Sequence, residues 1–488
     1  MNKKKNLVTA LFFQCVTMLS GLILPRIIIS TFGSEINGLL SSITQFLSFI
    51  SLLEGGLGAV VLAELYKPIE ENNNEKINSI LNSCQTFFTN LSVIFMIYTV
   101  ILGIVYGWMF REKYSFCFVC SLVFILSFTT LAQYLFSITY KLLLQAQQKI
   151  YIVNTVSAIT VIVNLFLSII LIYIFPEIHA IKLGSAVVFL LQPLIFKYCI
   201  EKKYRKEIWK NEKSVYKMKK RWDGFAQNLA HFVNLNTDIA VITIFLSLID
   251  VSVYTVYMLP ITALRLIISS LTNSYQSALG KYYAQGEQKE LKSNFEKFNN
   301  FNIIISIALF STCLLLINPF VQLYTQGIND ADYFQPVFAV IIVIANMFFC
   351  LREPYRYLIL AAGKFKETNF GAILEAIINI VVSIALIKKY KLIGIAFGTL
   401  LAIIYRFISF IIFFKNDILF KNYKCYFCNL FKLIVMIGIN LIVYFEFTFK
   451  IDNFVYFCIY GGIIFIVEIV VAYIMFSYSI TRKKWVSF

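Results

Sequence analysis

Charge is scarce in this 488-residue chain, where Asp, Glu, Lys and Arg together fill 14% of positions. A soluble domain carries about 25%, because a packed core needs a solvated shell around it. Histidine occurs only twice, at His179 and His231, far apart in sequence. That leaves little for a converging catalytic cluster and argues against an enzyme. No Walker-type glycine loop interrupts the polar stretches, so ATP is not expected as a direct energy source within this chain. Ten cysteines call for no disulfide framework, since nearly all fall in apolar segments or on the expected cytoplasmic side. The two CxxC pairs, Cys117/Cys120 and Cys425/Cys428, lack the roughly four converging ligands of a zinc site, so neither metal nor cofactor is expected.

What fills the chain instead is apolar: 59% of residues are hydrophobic, and the mean hydropathy is +0.77. The apolar residues come in runs of about 18–25, the length that crosses a bilayer core. Only helices or closed barrels satisfy the backbone in lipid, and the runs lack the short alternation of barrel strands. The sequence therefore predicts an all-α integral membrane protein with about 14 transmembrane helices. The spans fall near 7–32, 36–62, 81–107, 116–140, 155–175, 181–200, 225–249, 251–276, 299–318, 336–354, 368–387, 393–414, 430–449 and 454–476. The first run continues to about Phe32 without a small-residue cleavage site and reads as a retained helix.

The net charge of +17 follows topology. With the N-terminus inside, 32 Lys and Arg fall on the cytoplasmic side, Arg352 and Arg356 among them, and seven on the other. This is the bias of the positive-inside rule, and it places both termini in the cytoplasm. Anionic membrane lipid, rather than nucleic acid, is the expected partner of the basic segments. The longest external loop falls near 317–336, too short for a catalytic domain.

An internal repeat divides the chain. Residues 140–172 align without gaps on 355–387, and eleven of the 33 positions are identical. The matches include Tyr140/Tyr355, Lys149/Lys364, Asn154/Asn369, Asn164/Asn379 and Ser168/Ser383. The offset of 215 residues spans six helices, so both copies point the same way. The expected organisation is an N-terminal six-helix lobe at 1–200, a basic cytoplasmic linker at 201–221, a C-terminal six-helix lobe at 222–415, and two additional helices with a cytoplasmic tail at 416–488. Parallel repeats of this kind are a transporter architecture, with the substrate path expected between the lobes.

Polar side chains inside the spans mark the candidate site, because each costs about 2.5–3.5 kcal/mol at a helix centre if it faces lipid. Gln227, His231, Asn234 and Asp238 share one face of the seventh span; Arg265, Ser269, Thr272 and Gln276 repeat that spacing in the eighth. Asp238 and Arg265 are thus expected in one interior network, as ion pair or coupling group, together with His231. Arg26 follows Pro25 in the first span, Glu54 precedes two glycines in the second, and Glu375 lies in the eleventh. Asn154, Ser157, Asn164 and Ser168 fit the small and polar residues that join membrane helices.

The stretches Leu24-Pro25-Arg26, Phe32-Gly33-Ser34-Glu35-Ile36-Asn37-Gly38 and Leu53-Glu54-Gly55-Gly56-Leu57 resemble the opening of Wzx-type polysaccharide-lipid flippases. These belong to the multidrug/oligosaccharidyl-lipid/polysaccharide exporter superfamily. The loop Gln145–Lys149 with Asn154, and Asn236-Thr237-Asp238, are similar to that family as well. Related sequences often carry Asp where this chain has Glu54. The resemblance implies a flippase in a bacterial cytoplasmic membrane that moves undecaprenyl-pyrophosphate-linked oligosaccharide to the outer leaflet by alternating access. It implies substrate contacts from Arg26 and Arg265 to pyrophosphate and from Tyr254 and Gln276 to sugar. Glu54 and Asp238 would serve coupling to a cation gradient or membrane potential, and a polysaccharide polymerase and other assembly proteins would be partners. The alternatives left open are a drug or cation antiporter of the same superfamily, and a membrane-embedded polymerase or acyltransferase.

Overall fold

A computed structural model describes residues 2–54, 57–204, 225–415, 423–446 and 451–485, and every regular element among them is a helix. Among the described residues, eleven helical stretches are long and apolar enough to cross a membrane. One of these, Glu367–Phe414, holds two of the expected spans, Lys4–Glu54 holds the first and the larger part of the second, and a shorter apolar stretch, Asn236–Phe245, lies in the expected seventh. The fourteen expected spans each have their helix, in an all-α integral membrane architecture. Their surfaces are inverted relative to a soluble protein. Val93, Ile97, Ile101, Ile104, Val105 and Trp108 form an exposed apolar stripe on one helix, as a lipid-facing surface requires.

The chain divides into two compact units, Met1–Asn228 and Leu229–Phe488. The expected linker at 201–221 lies almost wholly outside the described residues. The first unit contains α1 (Asn2–Ser48), α2 (Ser51–Glu54), α3 (Leu57–Glu70), α4 (Asn74–Met109), α5 (Phe116–Phe136), α6 (Ile138–Ala146), α7 (Ile150–Ile174) and α8 (Ile178–Tyr204). Helix α1 breaks at Gly33, whose φ of 87° and ψ of 167° suit a residue without a Cβ. The expected second span is discontinuous. After Ser48 the hydrogen bonds shorten to Leu52 N→Phe49 O (3.1 Å) and Leu53 N→Ile50 O (2.9 Å), a tightened turn that ends one helix and starts α2. Asn6 ties α1 to the α6–α7 turn, donating to Gln148 O (3.0 Å) and accepting from Tyr151 N (3.1 Å).

The second unit contains α9 (Phe225–Phe245), α10 (Leu248–Ala284), α11 (Gln288–Tyr324), α12 (Pro336–Ala362), α13 (Phe365–Lys415), α14 (Tyr423–Glu446) and α15 (Phe454–Trp485). Helix α13 is two helices joined at Lys391 (φ 48°, ψ −128°) and folded against each other. A Cβ on Gly394 would stand 2.8 Å from the Leu386 carbonyl carbon, and one on Gly398 would stand 2.8 Å from Ser383 N. Close approach of the two halves therefore needs glycine at both positions. The C-terminal pair is fastened to α11 by polar contacts: Asn440 donates to Ser311 Oγ (3.0 Å), and Asn318 to Tyr444 Oη (2.7 Å). The loop between α11 and α12 spans only 325–335.

Candidate functional site

In the first unit, Glu54 closes α2 and accepts a 2.6 Å hydrogen bond from Tyr134 Oη. Tyr134 is itself packed between Phe88 (5.7 Å, stacked) and Phe95 (6.0 Å, edge-on). The carboxylate thus has a fixed donor at the break in the second span. Arg26 follows Pro25 inside α1 and is partly buried. Nearby polar contacts are of the helix-joining kind: Ser42 with Tyr106 Oη (2.6 Å), Thr139 Oγ1 to Gln85 Oε1 (2.7 Å), and Gln85 to Leu135 O (2.8 Å).

The second unit holds a denser constellation. Ser247 and Asp250 cap the start of α10 reciprocally, Asp250 N donating to Ser247 Oγ and Ser247 N to Asp250 Oδ2, each at 3.1 Å. This fixes the helix that carries Tyr254 and Arg265, eleven residues apart and so on one face. Tyr254 Oη donates to Asp238 Oδ2 at 2.8 Å, and Thr399 Oγ1 lies 3.1 and 3.0 Å from the two Asp238 oxygens. Asn379 Nδ2 donates to Thr399 Oγ1 (3.3 Å), and Ser383 Oγ reaches Ile395 O at 3.4 Å. Asp238 is 4% exposed. A buried aspartate with the Tyr254 and Thr399 hydroxyls bonded to it is a group that can take up a proton. Among the described residues no group of three His, Cys, Asp or Glu stands together.

Arg265 does not pair with Asp238 directly. Its Nη1 donates to Asn346 Oδ1 (3.2 Å), and its guanidinium lies over Phe349, 4.1 Å from the ring centroid. Its described partners are therefore an amide and an aromatic ring, with no carboxylate within ion-pair distance. Asn346 is oriented by its own Nδ2, which donates to Ile342 O at 2.8 Å.

Beside it lies a buried charge triad. Arg352 Nη1 donates to Glu375, whose other oxygen is 3.4 Å from Arg406 Nε. Arg406 Nη1 also donates to Thr368 O (3.1 Å) and its guanidinium covers Phe410 at 4.2 Å. Arg352, expected on the cytoplasmic side, is 2% exposed inside the unit. It sits on α12 one turn beyond Phe349, and its neighbour Glu353, also buried, pairs with Arg356 (2.7 Å). Gly371 makes room for the triad, since a Cβ there would collide with Arg406 Nη1 and stand 3.0 Å from Ser409 Oγ. Gly371→Ala is expected to push Arg406 off Glu375 and Thr368 and to cost about 1–3 kcal/mol, the usual range for overpacking. A thermal melt of the purified protein in detergent reads this, and an unchanged Tm would contradict the packing described.

Of the residues singled out in the sequence, Asp238 and Tyr254 come together. Glu54 and Arg26 lie in the other unit, and the side chains of His231 and Gln276 fall outside the described residues. Sequence reasoning missed Thr399, Asn346, Phe349 and Arg406. Thr399 and Arg406, seven residues apart, share a face of the second half of α13, and that spacing was readable. The repeat residues Asn379 and Ser383 serve the hydrogen bonds between the halves of α13, and their counterparts Asn164 and Ser168 are likewise buried.

No protein-family model matches the chain, and no curated protein does. Solved structures do. The lipid II flippase MurJ in an inward closed conformation aligns with a TM-score of 0.68 and 15% identity, covering 96% of this chain and 98% of that one. The MATE multidrug transporter DinF-BH aligns with a TM-score of 0.61 and 15% identity over 85% of this chain and 96% of that one. An inward-facing multidrug resistance MATE family transporter of the MOP superfamily gives 0.52 and 15% over 82% and 94%. At such identities the likeness speaks to architecture: the chain has the fold of MOP-superfamily membrane transporters.

Proposed function

We propose that this protein is a flippase for polyprenyl-diphosphate-linked oligosaccharide, moving undecaprenyl-pyrophosphate-bound sugar from the cytoplasmic to the outer leaflet of a bacterial cytoplasmic membrane by alternating access. The observation that carries the reading is Arg265, a cation within a membrane span whose described partners are neutral. A guanidinium without a carboxylate in direct contact is costly there, and an anionic headgroup would complete its bonding, with the Asp238 and Glu353 carboxylates acting on it only from beyond ion-pair distance. Its planar fork makes bidentate, charge-assisted bonds to phosphate. A sugar-diphosphate headgroup cannot cross hydrocarbon with its charges and hydroxyls unsatisfied, so a polar passage with a cation inside is what the task requires. The Wzx-type motifs around Pro25-Arg26 and Glu54, and the fold shared with a lipid II flippase, support the same substrate class. Both termini lie in the cytoplasm on this reading.

Asp238 is the second functional group, taking a proton or alkali ion in exchange for its bonds to Thr399 and Tyr254 and so coupling transport to a gradient. Asp238→Asn keeps the shape and removes the charge. It is expected to eliminate the gradient-driven part of transport, a drop of about tenfold or more, while cargo binding persists; flux measured with and without imposed sodium and proton gradients reads it. A drug or cation antiporter is the competing reading, because the same carboxylate suits a cationic cargo. The two separate in a bacterial mutant lacking a lipid-linked-oligosaccharide flippase. Restored surface polysaccharide, with loss of the precursor from the cytoplasmic face, supports the flippase. Failure in hosts with several repeat units, together with resistance to cationic drugs, overturns it.

A further inference from the structure

The second unit places two arginines on one aromatic ring. The Arg265 guanidinium carbon lies 4.1 Å from the Phe349 centroid, and that of Arg352 lies 4.5 Å from the same centroid. Arg352 is held by the Glu375 carboxylate, and Phe349 is itself buried, so the ring is a fixed platform on α12. Asn346 precedes it by one turn and offers its oxygen to Arg265 Nη1 at 3.2 Å. The Asn346 amide has no freedom to flip, because its nitrogen donates to Ile342 O at 2.8 Å.

A guanidinium has two faces and an edge carrying five N–H donors. Stacking on Phe349 occupies a face, and Asn346 takes one donor at the edge. The remaining donors keep a set direction, and a set direction is what bidentate recognition of a phosphate group needs. The two partners in contact with Arg265 are neutral and leave its donors unpaired with any carboxylate, while Asp238 and Glu353 act on it only from beyond ion-pair distance. A carboxylate in the place of Asn346 would give up the bond to Ile342 O, pair with Arg265 and quench its charge.

We propose, building on the flippase reading, that Phe349 and Asn346 are positioning residues that aim Arg265 at the diphosphate of the cargo and thereby set the preference for diphosphate over monophosphate lipid. Neither touches the cargo; each acts through Arg265.

The test measures binding of undecaprenyl diphosphate and undecaprenyl monophosphate to the full-length protein in detergent, alongside its Tm. Phe349→Leu keeps an apolar side chain of similar volume and removes the π face. It is expected to lower diphosphate affinity about tenfold, within the range of a desolvated cation–π contact, and to narrow the preference over monophosphate. Phe349→Trp retains both. Asn346→Asp is the variant that separates aiming from packing. It exchanges the bond to Ile342 O for an ion pair with Arg265, so Tm stays near the wild-type value while diphosphate affinity falls by about tenfold or more. In an Arg265→Lys background, both substitutions should have little further effect.

Wild-type affinity in Phe349→Leu and Asn346→Asp would overturn the proposal while leaving the flippase reading intact, provided Arg265→Ala abolishes binding. Equal losses in the Arg265 and Arg265→Lys backgrounds would also overturn it, since the effect would then not run through Arg265. A wild-type protein that binds neither lipid removes the flippase reading and this inference together.

Discussion

Replacing Arg265 by alanine is expected to abolish transport while leaving the protein in the membrane at its normal level. The side chain has neutral described partners, Asn346 Oδ1 at 3.2 Å and the Phe349 ring at 4.1 Å. Its removal breaks no direct ion pair, and the fold loses one neutral-acceptor bond and a stacking contact, each worth about 1 kcal/mol, together with a longer-range attraction to Asp238 and Glu353. The cargo loses more. Two charge-assisted bonds to a diphosphate amount to about 3–5 kcal/mol, or roughly 10²–10³-fold or more in transport. Lysine keeps the charge without the fork and is expected to retain a fraction of activity. Quantitative immunoblotting of the membrane fraction beside complementation separates function from abundance. Full activity in Arg265→Ala would remove Arg265 from the passage.

The largest effect on stability is expected from Glu375→Ala. That one carboxylate faces Arg352 and Arg406, and both arginine side chains are 2–3% exposed. Deleting it leaves two buried cations facing each other, and breaking one buried pair already costs about 3–5 kcal/mol. Accumulation in the membrane should fall several-fold, and Tm in detergent by several degrees or more. Replacing the whole triad by apolar residues, Arg352→Met with Glu375→Leu and Arg406→Met, is expected to recover much of that loss, because buried ion networks are often close to neutral against apolar substitutes. Should the triple variant fold well yet carry no cargo, the triad serves transport as well as packing. A Glu375→Ala protein as stable as wild type would refute the buried-triad account.

The helices were legible because membrane spans announce themselves by length and hydrophobicity, and the polar positions in them are few enough to be conspicuous. Asp238 and Arg265 were visible for that reason. Their partners were less so. Thr399 and Asn346 are ordinary residues in apolar helices, and what makes them matter is the folding of α13 on itself and the seat of α12 beside α10. Phe349 is one of 48 phenylalanines, so no composition argument singles it out. The burial of Arg352 was not legible for a physical reason: near the end of an apolar run, an arginine at the surface and one turned inward to a distant Glu375 look alike in sequence. The break in the second span was masked by its apolar content, although Ser48, Ser51 and the glycines after Glu54 supplied the signal. Gly371 reads as a weak helix residue until Arg406 is seen to lie against it.

The central question is whether the protein moves a diphosphate-linked sugar lipid across a bilayer. The measurement is made with purified protein in liposomes carrying a fluorescent undecaprenyl-diphosphate oligosaccharide, with an impermeant quencher or glycosidase added outside. Wild-type protein should expose the inner-leaflet pool within minutes, and liposomes with Arg265→Ala protein should behave like empty ones. If wild-type and empty liposomes expose the lipid at the same slow rate under every imposed gradient, the flippase account is wrong.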